Sequence, residues 1–178
     1  HYGTQTTIGT SEHLKNPSMV AIHNYFDKYY VASNMAVMLI GDFDFDTAVP
    51  MIDKYFGNYA TKAAPAQYVA KEEPIKSIVT SEVFSPSSER VQFAYRFNGA
   101  NSDDAKYVTL IDYILSNSTA GLIDLNLNKK QACIGAGSSP SIMADYSFLM
   151  LSGKPKKGQT LEDVEALLIS QVELIKKG

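Results

Sequence analysis

Val91, Phe93, Tyr95 and Phe97 stand at every second position of one short segment. Side chains of a β-strand point alternately to its two faces, so this pattern demands a strand with one apolar face to cover. Residues 78–84 just before it are also of β type, and Ser85-Pro86-Ser87-Ser88 supplies turn chemistry between the two segments. An antiparallel hairpin over 78–84 and 90–97 is therefore expected.

The covering layer reads as helical. Asn16-Pro17 is a helix start, with Asn as cap and Pro in the first position, and Met19, Ile22, Phe26 and Tyr29 follow at helical spacing to about Tyr30. Asp46 is expected to cap a second helix lined by Val49, Ile52 and Phe56, with Pro50 still in its first turn and Gly57 at its end. Ser102 is expected to cap a third, with Asp103 and Asp104 at the positive end of the helix dipole and Tyr107, Leu110, Ile111 and Ile114 turned inward. A short apolar helix follows over 120–127. In the last helix Thr160 and Asp163 form a capping box, Leu161, Val164, Leu168, Val172 and Ile175 make the apolar stripe, and Lys176-Lys177 suit the C-terminal dipole.

Further strands are expected over 35–40, 131–138 and 145–151. The first, Met35-Ala36-Val37-Met38-Leu39-Ile40, is an unbroken apolar run closed by Gly41-Asp42, which suits a central strand covered on both faces that anchors the sheet. Residues 58–77 hold Lys62-Ala63-Ala64-Pro65 and Lys71-Glu72-Glu73-Pro74 without periodicity and read as an internal linker. The order of hairpins and crossovers defines an α+β chain, a two-layer sandwich of a mixed sheet with helices on one face.

A chain of 178 residues, 45% of them apolar, suits one domain over 1–178. Its 16 basic and 19 acidic residues form neither a basic cluster nor an acidic tail, which argues against nucleic acid as a partner. No apolar run approaches the roughly 20 residues that a membrane-spanning helix requires. A single cysteine, Cys133, excludes an internal disulfide framework and leaves the compartment open. The opening His1-Tyr2-Gly3-Thr4-Gln5 has no signal-peptide character, and without an initiator methionine the chain is expected to be a domain of a longer protein, with any targeting segment upstream.

The residues that carry chemistry are sparse. The three histidines, His1, His13 and His23, include no pair at i,i+3 or i,i+4, so two imidazoles do not share a helical face and no metal site is expected. Glu12-His13 has the ending of an inverted zinc motif, but the place of its first histidine is taken by Gly9, and a polar turn is the better reading. His23, one turn before Asp27, suits a structural pairing. Cys133, in Ala132-Cys133-Ile134-Gly135, has no histidine near it in sequence and reads as a buried inert thiol. Ser138-Ser139-Pro140-Ser141 lacks the nucleophile-elbow pattern, and Asp42, Asp44 and Asp46 lack the continuation of a calcium loop. The eleven tyrosines, including Tyr29-Tyr30, read as core and rim contacts rather than a ligand platform. No catalytic, cofactor-binding or metal residue is assigned.

The ordered set Thr6-Thr7-Ile8-Gly9-Thr10, Phe26, Tyr29-Tyr30, Asn34-Met35, Gly41-Asp42-Phe43-Asp44 and Ile52-Asp53-Lys54-Tyr55-Phe56-Gly57 resembles the pitrilysin/insulinase family of zinc metallopeptidases. Ile114-Leu115-Ser116, Gly121-Leu122-Ile123 and the closing helix extend the likeness over nearly the whole chain. The resemblance implies a large zinc endopeptidase of repeated α+β domains that enclose a peptide-cutting chamber, with zinc held by an inverted His-x-x-Glu-His motif and a later Glu on another domain. None of those ligands is in this chain, which therefore resembles the inactive repeat packed beside an upstream zinc-bearing domain of the same polypeptide. Ala32 stands where the family often has proline. Asn126 and Cys133 stand near the places of an Arg and a Tyr that grip substrate in some members, so no substrate residue is carried over.

Two functions follow from the resemblance. In the first, the chain is a non-catalytic domain that helps enclose a peptide substrate, while a zinc-bound water elsewhere in the protein attacks the peptide carbonyl. In the alternative, the whole protein is an inactive relative serving as a scaffold or peptide-binding subunit. A periplasmic or envelope-associated location is the family-level expectation.

Overall fold

The computed structural model describes residues 8–59, 62–66 and 71–178, and the chain falls into two compact units, His1–Ile75 and Lys76–Gly178. Their boundary lies within the expected linker, whose described residues carry no helix or strand.

The first unit holds α1 (Ser11–Lys15), α2 (Met19–Tyr29), a 3-10 turn (Ala32–Asn34) and α3 (Phe45–Phe56). Two caps differ from expectation. Ser18, not Asn16, caps α2, its Oγ accepting the Ala21 N–H at 3.3 Å, while Asn16 closes α1. Asp44, not Asp46, caps α3, because its carboxylate accepts both the N–H and the hydroxyl of Thr47, at 3.0 and 2.9 Å. Residues 35–40 form no strand, and Met38 and Ile40 are 83% and 94% exposed. An apolar run becomes a strand only with a ladder partner, and the described residues of this unit contain no other strand.

The second unit is a three-stranded sheet with helices against it. Its strands are β1 (Val91–Asn98), β2 (Gly135–Ile142) and β3 (Tyr146–Lys154), in the order β1-β3-β2. Both ladders are antiparallel, so the α+β architecture stands while no parallel pairing is found among the described strands. The expected first hairpin strand is absent: 78–84 is unpaired, with Ile78 and Phe84 about nine-tenths exposed, at 90% and 88%. Ile78-Val79 and Val83-Phe84 are adjacent apolar pairs rather than an alternation, so no register turns them all to one side. The clean alternation of β1 pairs instead with β3, setting Phe93 opposite Leu151 and Phe97 opposite Ser147.

Helix α4 (Asp104–Leu115) and α5 (Leu161–Lys177) pack on the same side of this sheet. The core joins Val108 and Leu115 of α4, Val164 and Leu168 of α5, Leu149 and Leu151 of β3, and Ile123, Leu127 and Cys133 from the intervening segment. On α4 the buried line is Val108–Ile111–Leu115, whereas Tyr107, Leu110 and Ile114, expected inside, are exposed because they lie on the adjoining line. The short apolar helix closes in a π turn, Asp124–Asn128, and strand β2 begins later than expected because Gln131 adopts a positive φ of 52° in the turn that precedes it. The capping box of α5 forms as read: Thr160 N–H donates to Asp163 Oδ2 at 3.0 Å and Asp163 N–H to Thr160 Oγ1 at 3.1 Å.

Gly153 explains how closely α5 approaches. A Cβ there overlaps Val164 Cγ1 and stands 3.3 Å from Leu168 Cδ1, so the helix rests directly on the backbone of β3.

Candidate functional site

Residues paired across an antiparallel ladder share a face, so the register divides the sheet cleanly. The helix side carries Val91, Phe93 and Phe97 of β1 with Leu149 and Leu151 of β3, all in or against the core. The opposite side carries Tyr146, Phe148 and Met150 along the central strand, and none of these joins the core. Beside them on β1 stand Gln92, Ala94 and Arg96; on β2 stand Gly137, Ser139 and Ser141. The stripe is thus aromatic and thioether in the middle, polar on one flank and low on the other. Gln92 Nε2 lies 2.7 Å from Met150 Sδ, and the Arg96 guanidinium sits 5.3 Å from the centre of the Tyr146 ring. Both contacts hold the long β1 side chains down against the stripe.

This surface escaped the sequence reading. Its signal was the second alternation, Tyr146, Phe148 and Met150, in a segment recognised as a strand but not as a strand with two apolar faces.

The residues singled out for chemistry do not converge. His1 lies outside the described residues. His13 serves α1, its Nδ1 accepting the Thr10 N–H at 3.3 Å. Gly9, at the place of the missing histidine, has φ 75°, a conformation that disfavours any side chain and suits the turn into α1. His23 is exposed on α2 and forms no pair with Asp27 among the described residues. Asp44 is spent on its cap, and Tyr30 stacks on Phe26 with ring centres 4.6 Å apart.

Cys133 is buried, and desolvation pushes its thiol above the ordinary value of 9.0 against smaller opposing effects of the Gly135 backbone and Lys156. Ser138 Oγ donates to Asp112 Oδ1 at 2.6 Å, tying β2 to α4. Asn126, expected near the place of a family arginine, donates through Nδ2 to Gln171 Oε1 at 2.8 Å and accepts from Lys130 Nζ at 3.2 Å. Its amide joins the π turn to α5. Among the described residues no group of three His, Cys, Asp or Glu side chains is placed to hold a metal ion. No helix of the described residues is long and apolar enough to cross a membrane.

The fold is one found in proteases. The chain superposes on a protease from Helicobacter pylori with a TM-score of 0.70 at 18% identity, over 96% of this chain and 42% of that one. It also matches the ferredoxin protease FusC, solved in complex with Arabidopsis ferredoxin, with a TM-score of 0.59 at 18% identity, over 86% of this chain and 18% of that one. This chain therefore spans less than half the length of either solved protein. Residues 20–178 match the peptidase M16 inactive domain, and the chain belongs to that family. No curated protein matches it.

Proposed function

We propose that this chain is a non-catalytic wall domain of a zinc-dependent endopeptidase, with the helix-free face of its sheet turned toward the peptide. The observation that carries this reading is the one-sided sheet. Both α4 and α5 pack on one face, and the other presents Tyr146, Phe148 and Met150. Aromatic and thioether side chains on such a face gain by covering apolar segments of a substrate, and a Met is adaptable enough to serve many sequences. The family membership supports an enclosing rather than a chemical role, and the peptide-bond chemistry belongs to a zinc-bearing domain elsewhere in the polypeptide. FusC, a ferredoxin protease, supports a polypeptide as the substrate class.

The test is steady-state cleavage of an unfolded protein by the whole polypeptide carrying Phe148→Ser or Met150→Ser. Loss of one apolar contact made equally in the ground and transition states raises KM by about tenfold and leaves kcat unchanged. Unchanged KM in both variants, with folding intact, rules this face out as the substrate wall.

A further inference from the structure

Of the nine asparagines in the chain, Asn98 alone is followed by glycine. An Asn-Gly step is the one most prone to lose its side-chain amide. No side chain on the second residue hinders approach of its nitrogen to the asparagine Cγ, and glycine lets the main chain fold back. Here the step lies at the end of β1, with Asn98 exposed to water, in the corner that leads into α4.

The fold holds this step in an unreactive shape. Ring closure requires the main chain to turn back until the Gly99 nitrogen reaches Asn98 Cγ. Asn98 is instead a strand residue, paired with Tyr146 of β3, and its side chain is drawn aside. Asp104 Oδ2 accepts from Asn98 Nδ2 at 2.7 Å and from the Asn98 N–H at 3.1 Å. Because Asp104 is the first residue of α4, this carboxylate is fixed with the helix. Beyond it, Ser102 donates both its N–H and its hydroxyl to the Gly99 carbonyl, at 2.9 and 2.7 Å, and the Ala100 N–H donates to the Met143 carbonyl at 2.9 Å. Glycine is demanded at 99 by packing alone, since a Cβ there overlaps the Ala144 carbonyl oxygen. The close corner therefore forces a labile sequence on the chain and restrains it at the same time.

We propose that Asn98 is a site of spontaneous deamidation, latent while Asp104 grips it and converted when the corner between β1 and α4 opens. On opening, the Gly99 nitrogen gives its proton to solvent base and attacks Asn98 Cγ. A C–N bond forms, the Cγ–Nδ2 bond breaks, and Nδ2 leaves as ammonia with a proton taken from water. A second water then opens the succinimide at either of its two carbonyls, leaving aspartate or, with the main chain rerouted through the side chain, isoaspartate. Water is the only co-reactant. Neither product refits the corner. Aspartate sets a carboxylate against Asp104 Oδ2 where an amide donated, and isoaspartate adds a methylene to the main chain just ahead of a glycine that has no room against Ala144. Conversion is thus one-way and marks chains in which this corner has opened.

Peptide-mapping mass spectrometry of the 178-residue chain, aged in mildly alkaline buffer, tests it. Conversion is read at each asparagine as a mass gain of about one dalton, together with isoaspartate content. In guanidinium chloride, where every corner is open, Asn98 converts first among the asparagines and at about tenfold or more its rate in the folded chain. That comparison needs no variant. In folded Asp104→Ala, conversion at Asn98 rises by about tenfold while Asn117 is unchanged, as expected when a local restraint is removed. Equal rates at Asn98 in the folded and unfolded chain overturn the proposal, as does faster conversion of another asparagine in guanidinium chloride. An unchanged Asn98 rate in folded Asp104→Ala overturns the role given to Asp104.

Discussion

At the scale of single residues, Gly153 and Cys133 carry the clearest consequences. Gly153 is where a helix lies on bare strand backbone, so Gly153→Ala drives a methyl group into Val164. Overpacking of this kind costs about 1–3 kcal/mol, which in a small domain lowers the melting midpoint by several degrees. Thermal unfolding followed by circular dichroism reads this directly, and an unchanged midpoint shows that α5 can lift away freely. Cys133 links stability to pH. Burial favours its neutral form in the folded chain, so the unfolded chain ionises first as pH rises past the ordinary value of 9.0. The folded state then binds more protons than the unfolded one, and stability falls with rising pH from that point. Urea midpoints measured from about pH 8 to pH 10 therefore decline more steeply for the native chain than for Cys133→Ala, whose curve lacks the thiol contribution.

At the scale of elements, the lesson lies in which patterns found partners. The period-2 alternation of 91–97, the Thr160–Asp163 box and the stripe of α5 each specify their structure locally, and each was readable in advance. The runs 35–40 and 78–84 are also rich in apolar residues, yet they are not strands, because hydrophobicity supplies a tendency and only a ladder partner supplies hydrogen bonds. The caps moved for a similar reason: Asn16 and Ser18, or Asp44 and Asp46, are interchangeable by type, and the position of the N–H two or three residues on decides between them. The helix-free face of β3 was hidden because its residues belong to a strand apolar on both sides, which in sequence cannot be told from a fully buried one. Asn128 was hidden more deeply, since its role depends on a strand eight residues away in sequence. Asn128→Ala leaves the N–H and C=O of Ala136 unpaired in a part-buried setting, at a cost of about 1–3 kcal/mol. The same change frees the backbone of Ala136 on the β2 edge, so turbidity on heating rises alongside the loss in denaturant midpoint; a change in neither places the protection of Ala136 elsewhere.

At the scale of the whole molecule, the chain is a member of the peptidase M16 inactive-domain family, and its described residues bring no three metal-ligating side chains together. The residues taken singly specify an α+β domain; the family shows in the ordered likeness of many short pieces, none of which is itself a site. A domain without chemistry leaves little mark on a search for chemistry. What marks it is asymmetry, helices on one face of the sheet and an amide and a proline on one edge. That second asymmetry sets a limit on assembly. A sheet with both edges open is a bifunctional monomer, able to grow from either end into a fibre. On β2, Asn128 takes up both backbone groups of Ala136 and Pro140 has no N–H to offer, so that edge presents fewer places at which such growth can start.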